Sequence, residues 1–379
     1  MKSVAFITEY NPFHNGHLYH VQQSKSITKA DVTIAIMSGH FMMRGIPSMF
    51  SKFTRTKMAL TGVDLVVELP LIGSLSSSDR FAEMGIKVAD YLNVDALSFG
   101  SEIGDIEILK TMRDKMLLLE STSEFINQIK QGKSYPRIMR ELLNHSILDS
   151  PNNILGLSYL KQLALQQSRI EPLTIPRQYS DHHQNDIKHL SFASGTAIRQ
   201  DIINQGTRWK SCVPTENHAL FENAFTNTDT LFQLIKFATL QHDTNILATI
   251  HTMSEGFEHR LKREISVAHD YDTLMSRLKT KRYTYTHIQR ILMNVLLHYK
   301  YDDVNTSVDA VRILGMTRQG QAFLKSLKQQ YPEKQFVTNV NKNNAHYFKH
   351  EIKATEIYNL LTHQDETDFN TPVIICNAR

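Results

Sequence analysis

Close to its start the chain reads Phe6-Ile7-Thr8-Glu9-Tyr10-Asn11-Pro12-Phe13-His14-Asn15-Gly16-His17-Leu18-Tyr19-His20. The apolar run at residues 4–7 indicates a strand, Asn11-Pro12 and Asn15-Gly16 break regular structure, and apolar residues from Leu18 onward follow helical spacing. The segment therefore predicts a strand, a tight loop and the first turn of a helix. At such a junction, free backbone N–H groups and the positive end of the helix dipole favour phosphate binding.

Two histidines flank a glycine at the end of this loop. A single histidine here would be interpreted as a polar surface residue. His14 and His17 are three residues apart at the predicted helix start, so both can donate hydrogen bonds to charge that develops on a phosphate during transfer. Gly16 lets the backbone approach a ligand closely. The pattern favours a catalytic role for His14 and His17.

Short β-rich runs alternate with helical lengths of chain up to about residue 215. The runs lie at residues 4–7, 32–37, 65–69, 96–99 and 173–175. This alternation predicts right-handed βαβ crossovers and a mainly parallel sheet, which is the α/β class. Ligands of such sheets bind at the carboxyl ends of the strands, so the loop at residues 8–14 and the turn after the second strand are expected to face one site.

The pattern changes in the second half of the chain. From about residue 216 the apolar residues recur every three or four positions, and long β-branched runs nearly vanish. We therefore predict two domains, an α/β domain at residues 1–215 and a mostly helical domain at residues 216–379. Short strands are expected only near the end, at residues 335–340 and 372–376.

The composition excludes several classes of protein. Of 379 residues, 41% are hydrophobic and 21% are charged, as in soluble globular proteins. We see no apolar run of about eighteen residues and no secretory leader, so we expect neither membrane insertion nor secretion. Cys212 and Cys376 cannot form a disulfide framework, which favours the cytoplasm. The net charge of +4 tolerates a polyanionic partner, and the scattered histidines argue against a structural metal.

Polar residues near other strand ends and helix starts are further candidates for ligand contact. Arg177 follows the fifth predicted strand, with Gln178 beside it. Asn152 and Asn153 follow Ser150-Pro151, which predicts a helix start. These two asparagines therefore serve either the helix end or a ligand.

A second predicted helix start reads Ser194-Gly195-Thr196-Ala197-Ile198-Arg199. Taken alone, it is a Ser-Gly-Thr turn that caps a helix. Together with the two histidines, Ser194, Thr196 and Arg199 are better interpreted as ligands of the outer phosphates of a nucleotide.

Basic residues in two places suit a nucleic-acid backbone. Lys52 and Arg55 lie three residues apart on one predicted helix face. They either contact a phosphate or an RNA backbone, or they form a solvated basic surface. In the helical part Lys279, Lys281 and Arg282 are interleaved with tyrosines, a composition typical of contacts with phosphates and stacked bases.

His14-Asn15-Gly16-His17 resembles the HxGH signature of nucleotidyltransferases and class I aminoacyl-tRNA-synthetase-like enzymes, which bind ATP and attack its α-phosphate. Residues 194–199 resemble the second signature of that superfamily, a Ser/Thr-rich turn followed by Arg. Further segments are similar, in the same order, to the bacterial tRNA(Met) cytidine acetate ligases. They are Arg44-Gly45, Asp64-Leu65-Val66-Val67-Glu68-Leu69-Pro70, Phe99-Gly100-Ser101-Glu102, Asn152-Asn153-Ile154-Leu155-Gly156, Gly315-Met316-Thr317-Arg318-Gln319-Gly320 and Thr338-Asn339-Val340-Asn341-Lys342.

This resemblance implies a Rossmann-like, HUP-type nucleotidyltransferase domain followed by the mostly α-helical domain. It implies ATP-dependent conversion of acetate to acetyl-adenylate, then transfer of the acetyl group to N4 of the wobble cytidine of elongator tRNA(Met). ATP would be bound by residues 7–20, Gly100, Asn153 and Arg177, with Asn152 and Gln178 as neighbours. Mg²⁺ is an expected companion of ATP to which no protein ligand can be assigned.

Two other functions stay open from the residues alone. One is adenylylation of a small phosphorylated acceptor by another HxGH enzyme, and the other is tRNA binding by a non-catalytic protein with a vestigial nucleotide pocket. The chain also departs from the similar ligases beside the site, where Gln before Arg44 and Glu after Gly45 are common and this chain has Met43 and Ile46.

Overall fold

A computed structural model gives the fold of the chain and describes residues 1–133, 135–143, 145–177, 187, 189, 191–222, 224–225, 227–280 and 282–377. The described strands are β1 (Ser3–Thr8), β2 (Val32–Ser38), β3 (Leu65–Leu69), β4 (Ala96–Ser101), β5 (Glu171–Pro176), β6 (Ala310–Thr317), β7 (Gln335–Val337) and β8 (Ile374–Cys376). All five strands predicted for the first half are confirmed.

Helices connect and flank these strands. Those of the first half are α1 (Asn15–Thr28), α2 (Lys52–Ala59), α3 (Leu71–Ser74), α4 (Ser78–Tyr91), α5 (Ile106–Glu120), α6 (Ser123–Lys130), α7 (Tyr135–Leu143), α8 (Pro151–Leu165) and α9 (Gly195–Ile203). Those of the second half are α10 (Thr228–Gln241), α11 (Thr244–Ala248), α12 (Phe257–Val267), α13 (Tyr271–Leu278), α14 (Tyr285–Leu296), α15 (Arg318–Gln330) and α16 (Lys349–Thr362). No helix of these described segments is both long and apolar enough to span a membrane.

The strands form one sheet in the order β5-β4-β1-β2-β3-β6-β7, and β8 pairs with β6. The first five strands are parallel to one another. The chain passes from β1 through β2 to β3 on one side and then crosses to β4 and β5 on the other side. The order of strands therefore reverses between β1 and β4, and a crevice opens there at the carboxyl ends of the strands. The predicted α/β class is confirmed.

The second half is less purely helical than predicted. β6 was not expected, and it pairs antiparallel with β3, joining Leu65 to Met316. A short apolar run such as residues 310–317 cannot be distinguished from a buried helical segment by periodicity alone. The two predicted late strands are present as β7 and β8. Residues 310–376 thus return to the sheet of the first half, and the domain boundary near residue 215 stays a prediction.

The core lies on both faces of the sheet because strand side chains alternate in direction. Ala5 belongs to a cluster with helix α4, whereas Val4 and Phe6 belong to the cluster on the opposite face. Gly85 of α4 lies so close to β1 that a Cβ atom at this position would overlap the side chain of Ile7. The close approach of α4 keeps the end of β1 fixed, and the loop that carries the two histidines starts from this end.

Candidate active site

The two predicted catalytic histidines form a reciprocal cap at the start of α1. His14 is the N-cap residue, and its Nδ1 accepts a hydrogen bond from the Gly16 N–H at 3.1 Å. The His14 N–H in turn donates to Nδ1 of His17 at 3.3 Å. The two rings stack with their centroids 3.6 Å apart. The HxGH pattern therefore fixes the position of both imidazoles through the helix end itself.

This cap determines the tautomer of each ring. Because each Nδ1 accepts a backbone hydrogen bond, the proton of each neutral imidazole lies on Nε2. Burial and the positive charges of Arg177 and Arg199 lower the pKa of His14 to about 3. Burial and electrostatic interaction with the neighbouring His14 ring and with Arg177 hold the pKa of His17 well below its ordinary value. At neutral pH both rings are thus uncharged, and each has an Nε2–H donor on the cleft that both residues line.

His20 continues the same face of α1 one turn later. Its Nε2 lies 2.9 Å from the Ser98 hydroxyl on β4, and its ring meets the edge of Phe6. Burial, with the charge of Arg177, lowers the pKa of His20 to about 4. His20 therefore connects α1 to β4, across the point at which the strand order reverses.

Other residues of the predicted loop build its shape. The buried Tyr10 and Phe13 rings pack against the His17 ring, with centroid distances of 4.7 and 5.8 Å. Asn15 ties the helix start to the Ser191 and Ser211 carbonyls at 3.0 Å each. Of the predicted residues 7–20, those that line the cleft are Ile7, Thr8, Glu9, Tyr10, Asn11, His14, Gly16, His17, Tyr19 and His20. Pro12, Phe13, Asn15 and Leu18 do not line it.

The second predicted motif meets the first. The Ser194 hydroxyl caps α9 by accepting from the Ala197 N–H at 3.1 Å, so the capping alternative holds for this residue. The Arg199 guanidinium donates to the Asn11 carbonyl at 2.6 Å and to the Thr196 hydroxyl at 3.2 Å. All three side chains of the motif line the same cleft as the histidines. Two segments about 180 residues apart in sequence therefore share one site.

The other residues predicted to bind ATP lie on the β4 and β5 side of the cleft. Gly100, Asn152 and Arg177 line it, whereas Asn153 does not. Asn153 accepts through Oδ1 from the Glu102 N–H at 2.9 Å, so its side chain holds the loop after β4. Asn152 donates to the Glu102 carboxylate at 2.6 Å. The prediction at Gln178 lies outside the described residues.

The cleft has a volume of about 500 Å³, which suits a nucleotide. One wall is apolar, and its residues are Phe81, Phe99, Ile154, Leu155, Tyr159 and Ile175. The basic residues of the lining are Arg44, Arg177 and Arg199, in addition to the histidines. Glu9 is the only carboxylate among the described lining residues, and its Oε1 accepts from the Met43 N–H at 2.7 Å. This lining combines hydrogen-bond donors for a polyanion with apolar surface for a ring system.

Lys52 and Arg55 are not available for RNA, and this prediction is corrected. Both side chains are 0% exposed. Lys52 Nζ pairs with Glu68 at 2.9 Å and with Asp368 at 2.8 Å. Arg55 donates to the carbonyls of Glu9, Ser38 and Gly39 and so stabilises the backbone at the start of the histidine loop. The helical spacing of Lys52 and Arg55 does not show that these side chains are buried, because both carboxylates that pair with Lys52 are distant in sequence.

The second basic group lies near the start of α14. Lys279 is half-buried and donates to the Thr280 and Tyr283 carbonyls at 2.8 and 2.9 Å. Arg282 is 64% exposed and pairs with Glu255. Lys281 lies outside the described residues. Tyr285 presents an exposed ring, over which the Lys279 ammonium lies at 5.5 Å. Contact of this group with RNA stays a prediction.

The described residues contain no group of three or more His, Cys, Asp or Glu side chains that could hold a metal ion. The carboxylate of Glu9 is engaged with the Met43 backbone. Mg²⁺ at nucleotide sites is typically bound by the phosphates, water and one or two carboxylates, so no protein ligand is assigned to it and no step below depends on one.

Comparison with known proteins identifies the family. A family model described as HIGH Nucleotidyl Transferase matches residues 1–371. The tRNA(Met) cytidine acetate ligase of Staphylococcus saprophyticus is 53% identical over 375 residues, which are 99% of this chain and 100% of that protein. The protein of that name from Staphylococcus aureus strain JH9 is 52% identical, with 99% of each chain covered. This chain belongs to the tRNA(Met) cytidine acetate ligase family.

Solved structures of the ligase family agree. The chain matches crystal structures of Thermotoga maritima TmcAL at 27% identity, with 99% of this chain and 100% of that chain covered. The TM-score is 0.88 for the apo form and 0.84 for the form bound with alpha-thio ATP. The predicted family and fold are thus confirmed, and a ligase of this fold binds an ATP analogue. The individual ATP contacts named above stay predictions for this chain.

Proposed function

We propose that this protein is an ATP-dependent ligase that converts acetate to acetyl-adenylate and transfers the acetyl group to N4 of the wobble cytidine of elongator tRNA(Met). The carrying observation is the pair of Nε2–H donors of His14 and His17, which line one cleft together with Arg199. The full-length identity of 53% to a tRNA(Met) cytidine acetate ligase supports the choice of substrates.

In the first step an acetate oxygen attacks the α-phosphorus of ATP. The bond from that phosphorus to the oxygen that bridges to the β-phosphate breaks, and pyrophosphate leaves. Two neutral imidazoles suit this step because they donate hydrogen bonds to the α-phosphate as its charge increases. No general base is required, since a carboxylate is already deprotonated at neutral pH. Glu9, engaged with the Met43 N–H, is therefore left as a structural residue.

In the second step N4 of the cytidine attacks the acetyl carbonyl carbon, the bond to AMP breaks, and N4 loses a proton. The exposed Arg282 and Tyr285 near the start of α14 would bind the RNA, through a phosphate and a stacked base respectively. Because tRNA is the acceptor, the reaction takes place in the cytoplasm.

The test is incubation of the protein with ATP, labelled acetate and total tRNA, followed by nucleoside analysis. We expect labelled N4-acetylcytidine in methionine tRNA and release of pyrophosphate that depends on acetate. Pyrophosphate release only with a phosphorylated acceptor would instead indicate another adenylyltransferase. Binding of tRNA that ATP does not change, without acetylated cytidine, would indicate a non-catalytic RNA-binding protein.

A further inference from the structure

A tight hairpin loop follows β2 and forms one side of the cleft. Phe41 and Pro47 form an antiparallel bridge, the Met42 N–H donates to the Ile46 carbonyl at 2.9 Å, and the Gly45 N–H donates to the Met42 carbonyl at 2.8 Å. Arg44 lies at the tip of this loop. Here we call residues 41–47 the rim loop.

The rim loop is fastened from two sides. On the cleft side the Met43 N–H donates to Glu9 at 2.7 Å, and on the other side Arg290 of α14 donates to the Met43 carbonyl at 3.1 Å. Gly45 has a φ of +80°, and a Cβ atom there would overlap the backbone nitrogen of Arg290. The backbone that presents Arg44 is therefore held in one position before any ligand binds.

The Arg44 side chain lines the cleft and is exposed. Within the described part of the chain its guanidinium makes no hydrogen bond and no ion pair. Its positive charge acts on Arg199, which lines the same cleft. Burial lowers the pKa of Arg199, Glu9 raises it, and the positive charge of Arg44 lowers it again. Two guanidinium groups thus repel each other across the free cleft, and an anion between them would relieve this repulsion.

The order of strands indicates which anion this is. Gly100 lies near the end of β4, and Arg177 follows β5. The histidines follow β1, and Arg44 follows β2, on the opposite side of β1 from β4. A nucleotide with its sugar near Gly100 and its α-phosphate at the histidines extends its outer phosphates toward Arg199 and Arg44. A guanidinium matches phosphate oxygens with two parallel hydrogen bonds.

We propose that Arg44 is a ligand of the β- and γ-phosphates of ATP, and of the pyrophosphate released from it, opposite Arg199. This inference rests on the ATP site of the proposed function. It implies that the rim loop binds pyrophosphate, which is the leaving group of the first step. Arg44 would then stabilise the charge that pyrophosphate gains as the bond to the α-phosphorus breaks.

The test measures equilibrium binding of ATP and of AMP to Arg44→Ala, without acetate or tRNA. AMP lacks the outer phosphates, so we expect its affinity to change less than twofold, whereas the affinity for ATP should fall by about tenfold or more. Arg44→Lys should recover part of the ATP affinity. In turnover, acetate-dependent release of pyrophosphate should decrease, and the KM for ATP should increase.

Arg137→Ala is the matched control, because it removes an exposed arginine of α7 that pairs with Glu141 at the surface. Equal losses of ATP and AMP affinity in Arg44→Ala would overturn the proposal. Unchanged ATP affinity with a higher KM for acetate or for tRNA would overturn it too, and would assign Arg44 to that substrate. The binding measurement needs no acetate, so it succeeds or fails independently of whether acetate is the true substrate.

Discussion

His14 and His17 use their Nδ1 atoms for the helix cap, so their contribution to catalysis comes from Nε2. We predict that His17→Ala lowers acetate-dependent pyrophosphate release by about 10²–10³-fold, the usual cost of removing one hydrogen-bond donor to a developing charge. Affinity for tRNA should stay nearly unchanged. The release of pyrophosphate and a tRNA filter-binding assay check these two expectations. His259→Ala, at an exposed histidine of α12, is the control. A wild-type rate in His17→Ala would mean that the histidine is only a cap.

The same two histidines make stability depend on pH in a defined direction. Their pKa values are lower in the folded state than in the unfolded state, to about 3 for His14. Below pH 6.5 the unfolded chain therefore binds more protons than the folded protein, so stability decreases as the pH falls from 6.5 toward 4. Each histidine contributes on the order of 1 kcal/mol per pH unit.

Urea unfolding of wild type and His14→Asn at pH 6.5 and pH 4.5 measures this contribution. We expect the loss of unfolding free energy between the two pH values to be smaller in the variant, because Asn does not titrate. An identical loss in both proteins would show that His14 is protonated in the folded state as readily as in the unfolded chain.

Among the elements of structure, the rim loop and α14 form the most tightly specified contact of the cleft. In Gly45→Ala the side chain would meet the Arg290 backbone, and the residue would keep an unfavourable positive φ. Gly132 also has a φ of +80°, but nothing lies within 4 Å of a Cβ atom there. Gly132→Ala should thus cost about 1–2 kcal/mol for backbone strain alone, and Gly45→Ala roughly 1–3 kcal/mol more for overlap.

Urea unfolding of both glycine variants gives these two free energies. Pyrophosphate release should decrease only in Gly45→Ala, since displacement of the rim loop moves the Met43 N–H away from Glu9. Equal stability and equal activity in the two variants would show that α14 shifts and accommodates the added methyl group.

Elements with a local signal could be predicted from the sequence. Residues 32–37 and 65–69 are apolar and bounded by breakers, so their strands were found, and the HxGH turn carries its own capping pattern. β6 could not be found because a run of eight mostly apolar residues fits a buried helix equally well. The contact of Arg290 with Met43 had no signal, since it joins residues 247 positions apart through a backbone carbonyl.

At the scale of the whole molecule, Lys52 links the first half of the chain to the C-terminal segment. Its ammonium lies between Glu68 of β3 and Asp368 near the C-terminal strand, and all three side chains are at most 2% exposed. Removal of the cation leaves the buried Glu68 without its ammonium partner, and leaves Asp368 with the Arg312 guanidinium at 3.8 Å. We predict that Lys52→Met lowers the free energy of unfolding by about 3–5 kcal/mol.

Lys57→Met is the matched control for this prediction. Lys57 lies on the same helix and pairs with Glu366 at 3.5 Å, but both side chains are more than a third exposed. Its loss should cost no more than about 1 kcal/mol. Urea unfolding of both variants measures the difference, and equal effects would mean that the buried carboxylates are protonated in the folded protein. Sequence spacing cannot reveal this pairing, because Lys52 and Asp368 are 316 positions apart.

The antiparallel pairing of β6 with β3 also has a consequence for biosynthesis. β3 stands next to β2 in the sheet, and its other edge is covered only when residues 310–317 arrive. While the ribosome is still making the second half, that edge presents unpaired N–H and C=O groups along the apolar segment Leu65–Leu69. Such an edge readily recruits strands from other chains. Fragments that end before β6 should therefore aggregate on translation, although they contain every residue that lines the cleft.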